Sequence, residues 1–575
     1  MRLCAFARYI LPCVCTHARG PLIRERINFM LNRRDFLRTV TVAGGFGAIR
    51  PIEALASRYQ ASAGFFGVHS FVENHPDAVF IMKTNVDVKT NKEAKKNAGL
   101  TFARSVLVPS DSGVPLTHLV PIKPNITYAQ PNQIGKILPG GKIAVDADYL
   151  RGIITDPYFV EGVIEGLKEL GITASNIHAL DSWDGGTWNA LGWTEVATRT
   201  GITMKSREQK AGTLSESEIV WVDTPNGTWF RKIPYLYPVN APNSWLLGVA
   251  KFKAHGMGIT MCLKNIQGTL VREYQSFCTR YGAAYPASDA HLNPNRNTVI
   301  KANYDRHVAD KIPRWDKPGD SGGIWMETWF SRTSDNNLAT KIGLSIVEGV
   351  YGRDGNGFLE GPNEGPYSSK QCNDYMSNII IFGKNQVHVD IIGHWLAGHE
   401  PGNIGFLHIA KEVGLSKVLN PALIPVYEWK ADGTATLTPL TDFTRTPLKT
   451  YYLQRNYNGG SEPYYHMCDE PYEYPKESPL SVSEKVKPEA FVLSQNKPNP
   501  FNPSTAIEYT LPQGGYAQLE VYNSAGQLME VLVDRYCPAG AHMAVWNTSG
   551  SASGTYFYRF RFGGLSETRK MTLLK

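Results

Sequence analysis

The sequence predicts an α/β domain with a largely parallel, layered sheet and flanking helices, followed by a C-terminal all-β sandwich. Three observations carry this. Between residues 76 and 430, short apolar runs alternate with stretches of helical period, as in strands joined by crossover helices. From Val492 onward, short alternating segments recur at regular spacing with turns between them. At 575 residues the chain is also longer than one core usually holds.

The N-terminal stretch stands apart. Residues 1–56 hold nine Arg and three acids, so they supply +6 of the formal net charge of +7. The remainder is close to neutral, and no nucleic-acid partner is expected. Asn32-Arg33-Arg34-Asp35-Phe36-Leu37-Arg38 resembles a twin-arginine export signal, with a modest apolar run at Thr39 to Ile49 and small residues at Ala54-Leu55-Ala56. The run is too short to span a bilayer, so no transmembrane anchor is expected. Met30 offers a second start just before the signal. The resemblance implies export through the twin-arginine translocase.

The elements of the middle follow in order. Residues 57–75 read as a linker. Ala78 to Met82 and His118 to Ile122 are strand candidates, the second ending in Lys123-Pro124-Asn125. Asp156 and Pro157 open a helix as N-cap and first residue, and Gly171 ends it. Ile177 to Leu180 is the next strand, ending at Asp181. A helix near Thr194 to Thr200 and a strand at Ile219 to Val222 follow. Residues 271–340 read as an insertion with some helix. Strands return at Ile342 to Val347 and Asn378 to Phe382, then helices at Val387 to Leu396 and Ile404 to Val413. Asp390 and His394 share a helix face. His394 and His399 do not make HExxH. Asp354-Gly355-Asn356 hints at a calcium loop, but Gly365 stands where that loop needs Glu.

The chemistry concentrates in Trp245 to Leu270. An apolar strand leads into Lys251, Lys253 and His255, which alternate and so share a face. Gly256-Met257-Gly258 makes a turn. Thr260 is placed to cap a helix carrying Lys264 and Asn265. Cations converging on a helix N-terminus can hold an anion. Lys123, Asn125, Lys251, Thr260, Lys264 and Asn265 are the candidate anion-binding residues. Lys253, His255, Glu348 and Asp390 are the candidate acid/base groups. His255, Glu348 and Asp390 are the candidates should a metal ion be bound. The chain has no CxxC pair, and an iron–sulfur cluster is not expected. No GxSxG elbow, Walker loop or complete dinucleotide fingerprint occurs.

Residues of about 76–430 resemble the domain-of-unknown-function family 362. The matching pieces are Ile122–Asn125 (IKPN), Thr155–Pro157 (TDP), Ala250–Gly268 (AKFKAHGMGITMCLKNIQG), Ser345–Gly357 (SIVEGVYGRDGNG) and Val387–Asp390 (VHVD). Glu348 stands where the family usually has Asp, and Ala250 where it has Pro. Some relatives carry ferredoxin-like cysteine motifs, which this chain lacks. The family name implies no reaction.

Residues 431–488 read as a short β tail and a Tyr/Pro/Glu-rich spacer. Residues 489–575 open with Gln495-Asn496-Lys497-Pro498-Asn499-Pro500-Phe501-Asn502-Pro503 and continue in short strands: Ala506–Leu511, Ala517–Tyr522, Met529–Val533, Met543–Trp546, Thr555–Phe562 and Glu567–Leu574. They resemble the type A sorting domain of the type IX secretion system, which implies an immunoglobulin-like sandwich, that machinery as a partner, and a Gram-negative, Bacteroidetes-type envelope. The expected route is the periplasm in transit, then secretion or the outer-membrane surface. For the middle domain, the reading is an enzyme acting on a small anionic substrate. The alternatives are a non-catalytic binder of an anion, cofactor or metal, and a surface structural protein whose strand ends are closed by ion pairs.

Overall fold

The middle of the chain builds one eleven-stranded sheet. Its strands are β1 (Val79–Lys83), β2 (Val120–Pro124), β3 (Ile177–Leu180), β4 (Thr203–Lys205), β5 (Leu246–His255), β6 (Gly258–Thr260), β7 (Ile342–Arg353), β8 (Asp374–Tyr375), β9 (Ile379–Gly383), β10 (Val426–Trp429) and β11 (Ala435–Leu437). This computed structural model describes residues from 64 to 574 with internal breaks, the longer ones at 128–146, 206–213, 275–288, 317–323, 456–463 and 481–490. The export-signal stretch, Gly256, Met257 and Asn356, and the side chain of Thr260, lie outside the described residues.

The order across the sheet is β11-β10-β1-β9-β7-β5-β2-β3-β4, with β6 paired to the tip of β5 and β8 to the tip of β7. β10 and β1, and the run β7-β5-β2-β3-β4, pair parallel. β9, the edge strand β11 and the short tip strands β6 and β8 run against that grain. The sheet is mostly parallel, as the alternation of strands and helices predicts. The Ile219–Asp223 strand is an exception: it pairs with Lys232–Leu236 in a separate two-stranded ribbon. The expected linker at 57–75 also holds structure, because Phe65–Val68 pairs with Leu107–Ser110.

Helices α1 (Lys92–Val106) and α2 (Pro157–Glu169) cover one face. They cross at glycines. A Cβ on Gly99 would stand 1.9 Å from the Phe159 carbonyl, and one on Gly162 would stand 2.0 Å from the Lys96 carbonyl. Only glycine allows this backbone-to-backbone approach. Phe102 of α1 meets Phe382 of β9 edge-on, with centroids 5.1 Å apart. Asp156 caps α2 as expected: its carboxylate accepts from the Tyr158 N–H at 3.0 Å, and Pro157 is the first helical residue.

The other face carries α3 (Cys262–Asn265), α4 (Ile324–Ala339), α5 (Gln386–Leu396) and α6 (Gly405–Glu412). Ala250, Phe252 and Ala254 of β5 join Val347, Ile381, Leu263, Trp329, Ile391 and Leu407 in the core beneath them. Leu480 also enters this core, and Tyr474 donates its hydroxyl to Glu400. Glu477 accepts from the Leu419 and Asn420 N–H groups at 3.0 and 3.2 Å. The stretch read as a spacer is therefore docked where it is described.

The C-terminal region is β-rich. Val492–Leu493, Ser504–Leu511 and Gly540–Asn547 form one sheet; Leu528–Cys537, Gly515–Asn523, Gly554–Phe562 and Leu565–Leu573 form another. Ile507, Trp546, Leu519 and Tyr558 from the two sheets share one core. Among the described residues, no helix is long and apolar enough to cross a membrane.

Candidate functional site

The predicted residues sit at the carboxyl edge of the sheet, but the pleat divides them between its two faces. In a parallel pair, register partners point the same way. Lys123 is the partner of Gly248 and so lies on the α3/α5 face with Ala250. Lys251 is the partner of Glu348 and lies on the α1/α2 face.

On the α1/α2 face, Lys251 Nζ is 2.8 Å from Glu348 Oε2, and both side chains are fully buried. The ammonium also stands 3.4 Å from the centroid of the Tyr351 ring. The Tyr351 hydroxyl donates to Asp156 Oδ2 at 3.0 Å, and Lys95 Nζ reaches the same oxygen at 2.6 Å. Glu348 accepts in addition from the Asp156 N–H and the Val350 N–H, both at 3.1 Å. Burial pushes the Glu348 carboxyl up and the Lys251 ammonium down, each opposed by its partner. For Asp156 burial works upward, but the charge and hydrogen bond of Lys95, with the charges of Lys251 and Arg151, together outweigh it and the carboxyl is held down.

On the α3/α5 face, Lys123 Nζ donates to Asp181 Oδ2 at 2.6 Å, to the Pro124 carbonyl at 2.5 Å and to Asn265 Oδ1 at 3.2 Å. Asn265 Nδ2 returns a bond to the Lys123 carbonyl at 2.8 Å. Gly268 makes room, since a Cβ there would lie 2.6 Å from both Asp181 Oδ1 and Lys123 Cε. Burial pulls the Lys123 ammonium down against the Asp181 charge.

The expected helix cap is corrected. The N-cap of α3 is Met261, not Thr260, because β6 runs through Thr260 as the hairpin partner of Lys253. The α3 N-terminus already holds an anion, the protein's own: Asp390 of α5 accepts from the Cys262 and Leu263 N–H groups at 2.8 and 3.0 Å. Burial raises the Asp390 carboxyl to about 7. Asp390 therefore organises α3 from the α5 side, on the opposite face from Glu348. His394 Nδ1 is bonded to the Asp390 carbonyl at 2.7 Å. His255, Glu348 and Asp390 do not come together, and among the described residues no group of three or more His, Cys, Asp or Glu side chains is placed to hold a metal ion.

What remains is the tip of β5, which outruns β2. Lys253 is 1% exposed, and its register partners are Thr260 on β6 and Arg353 on β7. Between Lys251 and Lys253 the β7 partner jumps from Glu348 to Arg353, so β7 bulges there. The bulge slides the Tyr351 ring under Lys251 and brings Arg353 beside Lys253. Arg353 is fully buried: its Nε and Nη2 hold Asp374 at 2.6 and 2.8 Å, and Nη2 also donates to the Tyr149 carbonyl at 2.5 Å. Its Nη1 is buried with no partner among the described residues. Burial, then the charges of Lys264, Arg353 and Lys251, pulls the Lys253 ammonium well below its usual range. Burial, then Lys264 and Lys253, does the same to His255. Lys264 is half-buried. The charges that pull Lys253 and His255 down are cationic, while Asp374 answers Arg353; the setting favours a neutral amine or a bound anion.

Arg353, Tyr351, Lys95 and Asp374 were not singled out in the sequence. Tyr351 and Arg353 lie in the Ser345–Gly357 segment that carries the family likeness, so the signal was adjacent to Glu348. Asp354, the first residue of the calcium-like triplet, spends its carboxylate on the Asn373 N–H at 2.6 Å and the Tyr375 hydroxyl at 3.1 Å.

This is an α/β domain with a buried, ion-paired network along the carboxyl edge of its sheet. Residues 142–394 match the family model described as Domain of unknown function (DUF362), and that segment is a DUF362 domain. The match covers β3 to β9 and α2 to α4, with most of α5; Lys95, Lys123 and Asn125 lie before it. No curated protein matches the chain.

Proposed function

We propose that the protein is an exported enzyme that binds a small anionic substrate at the tip of β5, with Lys253, Lys264 and Arg353 around the anion and His255 and Lys253 as acid/base groups. The observation that carries this is the buried side-by-side placement of Lys253 and Arg353, with Arg353 Nη1 without a partner among the described residues. An anion placed there would bond the buried N–H. Lys251, Lys123, Glu348, Asn265 and Asp390 then frame the site, since each is already engaged. Asn125, whose buried Oδ1 has no partner among the described residues, stands at the end of β2. Thr260 stays a candidate through its register position opposite Lys253. The export route is part of the proposal: the twin-arginine translocase acts on the leader, and the type IX machinery acts on residues 489–575, read as an immunoglobulin-like sorting sandwich. The destination is the outer-membrane surface or the medium.

The test is thermal stability of the exported protein titrated with phosphate, sulfate and small carboxylates. One of these is expected to stabilise the wild type and to lose that effect in Lys253→Gln. Equal stabilisation of both proteins, or of neither, would sink the anion site. Replacing Arg33 and Arg34 by Lys is expected to hold the chain in the cytoplasm, and deleting residues 489–575 to hold it in the periplasm; unchanged export in either variant removes that step. One observation favours the structural-protein reading instead: Lys123 and Lys251 are closed into ion pairs at 2.6 and 2.8 Å. That reading predicts no anion effect at all.

A further inference from the structure

A second feature of the same sheet edge is independent of the anion site. A groove of about 490 Å³ opens at the carboxyl ends of the parallel strands β1 and β10, beside α1. Crevices outside strand carboxyl ends are where α/β sheets take ligands, and sites for small molecules run from about 300 to 1,000 Å³. The groove exists because of what α1 presents there. Ala94, Ala98 and Thr101 recur at helical spacing along its wall, and their short side chains leave the space unfilled. The opposite side of α1, with Gly99, Phe102 and Ala103, is buried against α2 and the sheet.

The chemistry of the lining narrows the ligand. Asn85 and Asn97 bring two carboxamides, and Thr101 a hydroxyl. Lys83 Nζ lies 3.1 Å from Glu428 Oε1, so these two lining charges cancel while still offering a donor and an acceptor. Lys430 adds one cation. Met82, Val86, Ala94 and Ala98 give apolar surface between the polar groups. A phosphate would want surplus positive charge or converging backbone N–H groups, and a purely apolar ligand would strand the amides and the ion pair. Mixed donors and acceptors over small apolar patches match a ligand whose hydroxyls each donate and accept and whose ring carries C–H faces.

We propose that this groove is a saccharide-binding site. The test is saturation-transfer NMR and calorimetric titration of the full-length exported protein with glucose, N-acetylglucosamine, maltotriose and glucuronate, with citrate as a non-sugar anion. At least one sugar is expected to bind. Ala98→Leu, which fills the groove from the helix wall, is expected to weaken it by about tenfold or more. Asn97→Ala, on an exposed position of α1, is expected to weaken it as well, and melting temperatures report that both variants fold. Absence of transfer to every sugar at millimolar concentration overturns the proposal. So does unchanged sugar binding in both variants, or binding of citrate alone.

Discussion

Lys251 and Lys123 sit on neighbouring strands at the same edge of one sheet, and both are buried, yet they point to opposite faces. Each face meets the same problem, a lysine ammonium removed from water, with one carboxylate and a set of backbone partners. On the α1/α2 face Glu348 answers Lys251, and its oxygens also hold the Asp156 and Val350 N–H groups. On the α3/α5 face Asp181 answers Lys123, and also holds the Ile126 N–H at 3.0 Å. The comparison teaches that a lysine at a strand end is not by itself a ligand group. Where a carboxylate arrives from elsewhere in the chain, the lysine becomes part of the architecture. At the tip of β5 the cations Lys253, Lys264 and Arg353 gather, with Asp374 answering Arg353.

The largest effect should come from breaking one pair. Lys251→Met leaves Glu348 buried without its counter-ion, and a loss of about 3–5 kcal/mol is expected in urea unfolding. Adding Glu348→Leu should recover most of it, because two apolar groups then replace two charges. A double variant as unstable as the single one would show that Glu348 is held chiefly by its N–H partners. The same cycle at Lys123 and Asp181 asks whether the two faces are equivalent.

Next comes the pH dependence of the α3/α5 face. The Asp390 carboxyl is raised in the folded state to about 7 from 3.8. A raised folded value means a contribution that is complete below the unfolded value and is lost as pH rises through the folded one. Stability should therefore fall between about pH 4 and pH 7 by roughly 3 kcal/mol from this group. Asp390→Asn, which can still accept from the α3 N–H groups, should flatten that part of the curve. An unaltered slope would assign it elsewhere, Asp335 being one candidate, with its carboxyl pushed up to about 6 by burial.

A smaller cost is expected from Gly268→Ala, where the new methyl would press on Lys123 and Asp181. We expect about 1–3 kcal/mol, read as a drop in melting temperature, with the Lys251 pair untouched. If the loss adds fully to that of Lys123→Met, the methyl acts on something other than this pair.

Much of this was legible in the sequence, for local reasons. The apolar run into Lys251, the Asp156–Pro157 start and the Gly171 stop each depend on neighbouring residues, and each appears as read. What was not legible depends on distant register. Glu348 is 97 residues from Lys251 and Asp181 is 58 from Lys123, so no local pattern says which face each joins. Thr260 looked like a cap because it precedes a helix by little. The true partner of those N–H groups, Asp390, lies 128 residues from Cys262. Arg353 and Tyr351 gain their places only from the β7 bulge, which a sequence read strand by strand does not reveal.

The last prediction compares two lysines on one strand. Lys253 is two residues from Lys251 and as deeply buried, so area alone would give Lys253→Met and Lys251→Met the same cost. The protonation of the two amines says otherwise. Lys251 stands 2.8 Å from Glu348, and its removal strands that carboxylate. Burial, then the charges of Lys264, Arg353 and Lys251, holds the Lys253 ammonium well below its usual range, so Lys253 is the amine more readily buried uncharged. The methionine keeps most of the buried stem. Lys253→Met should therefore cost less than Lys251→Met in urea unfolding. A loss as large as that of Lys251→Met would show that Lys253 is held in its charged form, and the tip of β5 would then join the architecture with the rest of the edge.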